Sequence, residues 1–301
     1  MSTESSLRAD IVEVGRRMYA RGYTASNDGN ISVRIDETRL LMTPKSVCKG
    51  FMTPDMMCVT DLDGRKLQGD RDPSSEMQMH LEVYRQRPDV RAVVHAHPPI
   101  ATGFAVAGIP LNRAVLAEVL TTLGSIPIAE YATPSTKELP VAVRKYVKAH
   151  DGMLLANHGA LTIGGDLFAA YYKMETIEHF AKISLVARLL GGENLIAREE
   201  VARLQDLRTT YGIKAPAPIC PDPTAIGDLL SSPDPLACQI VDAPAGGGQR
   251  LVSDARRDAP DSSLSSVPTG VPAGAPEDDG EIRLTYRELS ALIEDAIKSV
   301  R

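Results

Sequence analysis

The run RAVVHAHPP, from Arg91 to Pro99, limits the fold more tightly than any other segment. Its apolar body and closing prolines read as a buried strand that stops abruptly. Strand side chains alternate between faces, so His95 and His97 project together from the strand's end. Two readings follow. The pair is either two half-buried imidazoles with local partners, or two ligands of one metal ion. Spacing alone does not choose between them.

Around this run, residues 1 to about 215 alternate strand-like and helix-like segments joined by short turns, the pattern of a compact α/β domain. Ser6 to Tyr19 fits a first helix. GNISVRI and RLLMTP read as paired strands around Asp36 and Glu37, and MMCVTDLDGRKLQG as strand, Asp-Gly turn and strand. PSSEMQMHLEVYRQRP reads as a helix opened by Ser74 and Ser75 as cap candidates and stopped at Pro88. DGMLLANHGALTIG is a strand containing a tight turn, and DLFAAYYKMETIEHFAKISLVARLLGG a long helix ended by glycines.

Composition narrows the partners. A formal charge of −6 argues against a general nucleic-acid or membrane-surface binder. No apolar run approaches the length of a membrane span, and the N-terminal segment is acidic and amphipathic rather than signal-like. The four cysteines lack C-x-x-C spacing and read as reduced thiols, so a cytoplasmic protein is expected.

Six histidines occur. His80 and His179 fall within expected helices and His150 beside an Asp-Gly turn; none of these three is given a role. His158 ends the apolar run GMLLANHG, and Gly159 after it permits a sharp turn. A strand-end H-x-H with a third strand-end histidine supplies three imidazoles, the usual protein share of a catalytic zinc site. Glu76 follows two serines at a helix N-terminus, where free N–H groups and the helix dipole attract anions. The serines either cap the helix or bind a substrate phosphate, with Glu76 as acid/base or fourth ligand. The Gly-centred turn at Gly29 and Asn30 is either an ordinary Asn-Asp-Gly turn or one that exposes N–H groups to an anion, and Lys45 and Lys49 of TPKSVCKG read either as solvated lysines or as phosphate partners.

Taken in order, GNISVR, TP, SSE, HAHP, NHG and TYG resemble the class II aldolase/adducin family, and its fuculose-phosphate-cleaving members above all, over roughly residues 7 to 213. The resemblance implies a three-layer α/β fold with a mostly antiparallel central sheet flanked by helices. It also implies a homotetramer with active sites at subunit contacts. It places zinc ligands on His95, His97 and His158 and the acid/base on Glu76. Phosphate-binding positions fall on Asn30, Lys45, Ser46, Ser74 and Ser75, and an aldehyde-handling tyrosine on Tyr211.

Two departures stand out. The phosphate loop reads TPKS where the family has a small residue and Gly. LNRAVLAEVLTTLGSIP lacks the family's proton-donating tyrosine, and Glu118 is its only carboxylate. The implied reaction is zinc-dependent cleavage of an L-fuculose- or L-rhamnulose-type 1-phosphate to dihydroxyacetone phosphate and lactaldehyde. Dehydration or epimerisation of a sugar phosphate, or a non-catalytic adducin-like module, are the alternatives.

Beyond the domain, residues 216–280 are rich in Pro, Gly, Ala, Ser and Asp and read as a flexible linker. Residues 281–301 contain TYRELSALIEDAIKSVR. Thr285 and Glu288 form a capping-box pattern. Leu289, Leu292, Ile293, Ala296, Ile297 and Val300 make one apolar helical stripe. This helix either folds back onto its own tetramer or serves as a targeting helix; it resembles the encapsulation peptides of bacterial microcompartment enzymes, implying shell or core proteins as partners and a location within a microcompartment.

Overall fold

The structure is a computed structural model that describes residues 3–214 and 216–219, together with two short strands further on. The helix expected over 281–301 lies outside the described residues. So does the expected linker, apart from 216–219 and the antiparallel strands Gln239–Val241 and Arg250–Val252.

The domain opens with helix α1, Glu4–Ala20, whose first turn is capped by Thr3: its hydroxyl accepts from the Ser6 N–H. That cap starts the helix two residues before the expected Ser6. Ile11, Val14 and Met18 form its buried stripe. Strands β1 (Asn30–Arg34), β2 (Arg39–Met42), β3 (Cys58–Asp61) and β4 (Lys66–Gln68) follow as an antiparallel meander. Helix α2 (Met77–Gln86) leads into β5 (Ala92–Ala96). Helices α3 (Pro99–Ala107) and α4 (Ala117–Thr122), strand β6 (Ile128–Ala129) and helix α5 (Glu138–Val147) precede the hairpin β7 (Gly152–Leu155) and β8 (Gly159–Gly164). Helices α6 (Leu167–Leu189) and α7 (Arg198–Thr210) complete the domain.

The eight strands form one sheet in the order β4-β3-β2-β1-β5-β8-β7-β6. Every pairing is antiparallel except β6 with β7. Helices cover both faces, as expected. Ile11, Val14, Phe104, Met174 and Ile177 from α1, α3 and α6 pack on one face against Ile31, Val33, Val94 and Leu154. On the other, Met79, Leu81, Leu139 and Val143 from α2 and α5 pack against Leu40, Val93, Leu161 and Ile163. Each such aliphatic side chain, buried on folding, contributes roughly 1.5–3 kcal/mol before entropy is counted. Among the described residues no helix is long and apolar enough to cross a membrane.

Strand β5 lies inside the sheet, paired to β1 on one side and β8 on the other. Its alternation is therefore strict. Ala92, Val94 and Ala96 join the α1/α3/α6 core, while Val93 faces α2 and α5. His95 shares Val93's face. Strand β1 alternates in step: Ile31 and Val33 enter the first core, leaving Asn30, Ser32 and Arg34 on the face covered by α2.

Candidate active site

The site forms where β1, β5 and the β7–β8 hairpin end beside the start of α2. His95 sits opposite Asn30 on β1 and Leu161 on β8 and is fully buried. Its Nδ1 meets the Ala160 carbonyl at 2.9 Å. A carbonyl only accepts, so the proton sits on Nδ1 and Nε2 faces the site. His97 follows the strand, its backbone N–H donating to the Tyr23 carbonyl. Its Nδ1 lies 3.4 Å from Asp28 Oδ2 and its Nε2 3.1 Å from His95 Nε2. His158 comes from the turn joining β7 to β8, and its Nε2 lies 3.2 Å from Glu76 Oε1. Ring centroids of the three histidines are 4.7–5.1 Å apart. Each offers one nitrogen, and all three nitrogens lie within 4.8 Å of one another.

Glu76 closes the group. Its Oε2 is 3.2 Å from His95 Nε2 and accepts from Asn30 Nδ2 at 2.8 Å. Its Oε1 is buried without a hydrogen-bond partner. Burial alone would raise this carboxyl's pKa, but the adjoining His95 and His158 imidazoles hold it well below the usual range. Burial, with His95 and His158 nearby, pushes His97 down to about 4 and keeps it neutral. Burial also disfavours charge on His95, yet Glu76 outweighs it and the net shift is upward. His95 and His97 meet Nε2 to Nε2 at 3.1 Å, His158 Nε2 and Glu76 Oε1 lie 3.2 Å apart beside them, and three imidazole nitrogens and a carboxylate oxygen so converge on one point. That arrangement fits a divalent cation.

The histidines open onto a cavity of about 400 Å³. Asn30, Lys45, Ser46, Ser74 and Ser75 all line it, so the sequence-derived phosphate positions come together beside the histidines. Lys49 lines it too. Its amine donates to the Asn27 and Val47 carbonyls, tying together two loops that border the cavity, and burial lowers its pKa to about 8. Ser46 and Ser135 on the cavity wall, and Asn157 beside His158, hold positive φ angles, costly backbone retained around the site.

Glu118 and Tyr211 do not line this cavity. Glu118 borders a wider, open hollow of about 820 Å³ between α4 and α6. Tyr211 is 67% exposed at the end of α7.

Two local expectations are corrected. Ser74 and Ser75 do not cap α2, which begins at Met77 with Glu76 in the capping position. Attraction to Asn30 and the imidazoles draws the Glu76 side chain away from the helix, and Ser74 Oγ accepts from the Glu76 N–H instead. Gly159 does not make the turn before β8; Asn157 does, at φ 54°. Gly159 is required for closeness, since a Cβ there would lie 2.6 Å from the His97 ring and 2.5 Å from the Ala96 carbonyl. His80, given no role from sequence, is buried with its Nε2 2.5 Å from Asn30 Oδ1. Sequence reading also missed Asp28 behind His97, and Glu178 of α6. The Glu178 carboxylate accepts from the Ile100 and Ala101 N–H groups, capping α3 directly after the His97 segment.

The sequence pattern of the Class II Aldolase and Adducin N-terminal domain matches residues 9–185. The chain belongs to this family. A 3-oxo-tetronate 4-phosphate decarboxylase of Pectobacterium atrosepticum is 32% identical over 210 residues, covering 68% of this chain and 94% of the relative. A 5-deoxy-D-ribulose 1-phosphate aldolase of Bacillus thuringiensis serovar kurstaki is 33% identical over 206 residues, covering 68% of this chain and 96% of the relative. A solved L-fuculose 1-phosphate aldolase superposes with a TM-score of 0.64 at 30% identity, over 69% of this chain and 98% of that one.

The close approach at Gly159 carries a prediction. In a Gly159→Ala protein the His97 ring must shift, so affinity for a divalent cation should fall by about 10–100-fold while far-UV circular dichroism is unchanged. Metal titration by calorimetry checks this, and unchanged affinity contradicts the geometry.

Proposed function

We propose that this chain is a metal-dependent lyase that breaks the bond between the carbons α and β to the carbonyl of a phosphorylated ketose. The preferred substrate is a deoxy-ketose 1-phosphate of the L-fuculose or L-rhamnulose type, giving dihydroxyacetone phosphate and lactaldehyde. The observation that carries this reading is the buried Glu76 carboxylate, its Oε1 3.2 Å from His158 Nε2, facing three convergent imidazoles at the edge of a polar cavity. His95, His97 and His158 would hold a divalent cation, zinc on this all-imidazole donor set, which when bound supplies positive charge to the electron density released by the breaking bond.

The chain's own residues do the rest. Ser74, Ser75, Asn30, Ser46, Lys45 and Lys49 present hydroxyl, amide and ammonium donors to a phosphate, which anchors the substrate's end. Cleavage leaves an electron pair on the α-carbon of the carbonyl-bearing fragment, and Glu76, ionised at rest, passes a proton taken from solvent in the cavity through Oε1 to that carbon. A second group takes the hydroxyl proton as the aldehyde forms. Glu118 and Tyr211 both lie outside the cavity of their own chain and are exposed. We place them at the site of a neighbouring subunit in a homotetramer, which the open hollow beside Glu118 accommodates.

A second reading has its own support. The segment 111–127 has no tyrosine, and one relative is named a decarboxylase of a 3-oxo acid phosphate. Decarboxylation needs no acceptor for a hydroxyl proton: carbon dioxide leaves, the electron pair stays beside the ketone, and Glu76 protonates that carbon. The two reactions share Glu76, the three histidines and the phosphate cradle.

Product assays separate them. Purified protein given L-fuculose 1-phosphate or L-rhamnulose 1-phosphate should release dihydroxyacetone phosphate, with activity lost to a chelator and restored by zinc. Glu76→Gln should lower kcat by about 10²–10⁴-fold. Carbon dioxide release from 3-oxo-tetronate 4-phosphate, with neither sugar phosphate cleaved, would establish the decarboxylase. No bound metal and no turnover of any of the three would leave the adducin-like module.

The microcompartment reading rests on the sequence pattern of residues 281–301, and lactaldehyde's reactivity supplies a chemical reason for enclosing the reaction. Deleting 281–301 should leave kcat and KM unchanged and abolish co-purification with shell proteins. Loss of oligomer stability in the truncated protein would instead show that the tail docks on its own assembly.

A further inference from the structure

Behind Glu76 runs a chain of buried polar groups of which the proposed reaction uses Asn30 alone, as a phosphate donor. Asn30 Nδ2 donates to Glu76 Oε2 at 2.8 Å, so its Oδ1 points the other way, at His80 Nε2, 2.5 Å off. His80 Nδ1 lies 2.7 Å from Ser32 Oγ, and Ser32 Oγ lies 2.9 Å from the Tyr84 hydroxyl. His80 and Ser32 are fully buried; Asn30 and Tyr84 are 3% exposed. Such a cluster in a sheet-to-helix interface is costly unless each member is satisfied.

The direction of every bond follows from chemistry. A carboxylate only accepts, so Asn30 presents its amide N–H to Glu76 and its carbonyl to His80. That carbonyl also only accepts, so His80 carries its proton on Nε2. Burial holds the ring neutral, pushing its pKa down to about 3, so Nδ1 is bare and accepts from the Ser32 hydroxyl. Ser32 Oγ in turn accepts from Tyr84. Donation runs one way, from Tyr84 through Ser32, His80 and Asn30 to Glu76 Oε2. Its consequence falls on the other oxygen: Oε2 is pinned, and Oε1 alone is left to carry a proton.

We infer that His80 is a positioning residue, which, through Asn30, makes Glu76 a one-sided acid/base that exchanges protons only at Oε1. This rests on the reading of Glu76 as the proton-transfer group given above. Without the His80 N–H, the Asn30 amide is free to flip or rotate, and Oε2 loses the donor that fixes the carboxylate plane. The strand register explains why these residues meet: Asn30 and Ser32 are two apart on β1, and His80 and Tyr84 four apart on α2, so each pair shares one face.

The test uses the full chain with whichever substrate the wild type turns over. His80→Phe should lower kcat about 10–100-fold with bound cation unchanged. His80→Gln, which keeps an N–H donor for Asn30, should recover most of the loss. Ser32→Ala, a smaller change less apt to disturb folding, should lower kcat in the same direction. Independently of turnover, 15N-histidine spectra should show His80 as a neutral ring protonated at Nε2. Full kcat in both His80→Phe and Ser32→Ala, beside an inactive Glu76→Gln, would overturn the relay and leave the proposed function standing. A His80 protonated at Nδ1 would also overturn the relay. A fully active Glu76→Gln would overturn both.

Discussion

Everything at the site depends on β5 being paired on both edges. Hydrogen bonds to β1 and β8 fix its register, and a one-residue slip would turn His95 from the α2 face into the α1/α3/α6 core. The same pairing sets His95 beside Asn30 and Leu161, and carries the chain to His97 on the side where β8 begins. His158 arrives from the hairpin partner of that strand. The histidines meet because three neighbouring strands end together, and the cores on either side of the sheet stabilise that meeting.

Electrostatics then divides the labour. Burial removes charge from His80 and His97, while Glu76 stays ionised because imidazoles offset its desolvation. The result is a dry carboxylate with one oxygen pinned and one exposed to the imidazole cluster, next to a cavity whose wall carries two lysines. Such a site suits a phosphorylated substrate whose reacting carbon needs a proton delivered from a defined side. Breaking the bond between the carbons α and β to a ketone, by retro-aldol reaction or by decarboxylation, makes that same demand.

Much of this was legible in the sequence because its signals are local. The H-x-H run, the NHG turn and the SSE segment each carry site residues within a few positions, and strand alternation alone places His95 and His97 together. The sheet's antiparallel character and its flanking helices also agree with the expectation. What escaped depends on distant pairing. His80 gains its partners from residues 48 and 50 positions upstream. Polar and apolar residues alternate along NISVR, yet its polar face is buried under α2. Glu178 caps α3 from a helix nearly 80 residues on. The start of α2 was misplaced because Glu76 answers to the histidines rather than to its own helix.

The central claim is that His95, His97 and His158 act as one ligand set for a cation. X-ray absorption at the zinc edge of the zinc-loaded full chain tests it most directly. The account predicts three imidazole nitrogens at about 2.0–2.1 Å around a single absorber, falling to two when His158 is replaced by alanine. A spectrum dominated by sulfur or water scatterers, or one unchanged by that replacement, would contradict it.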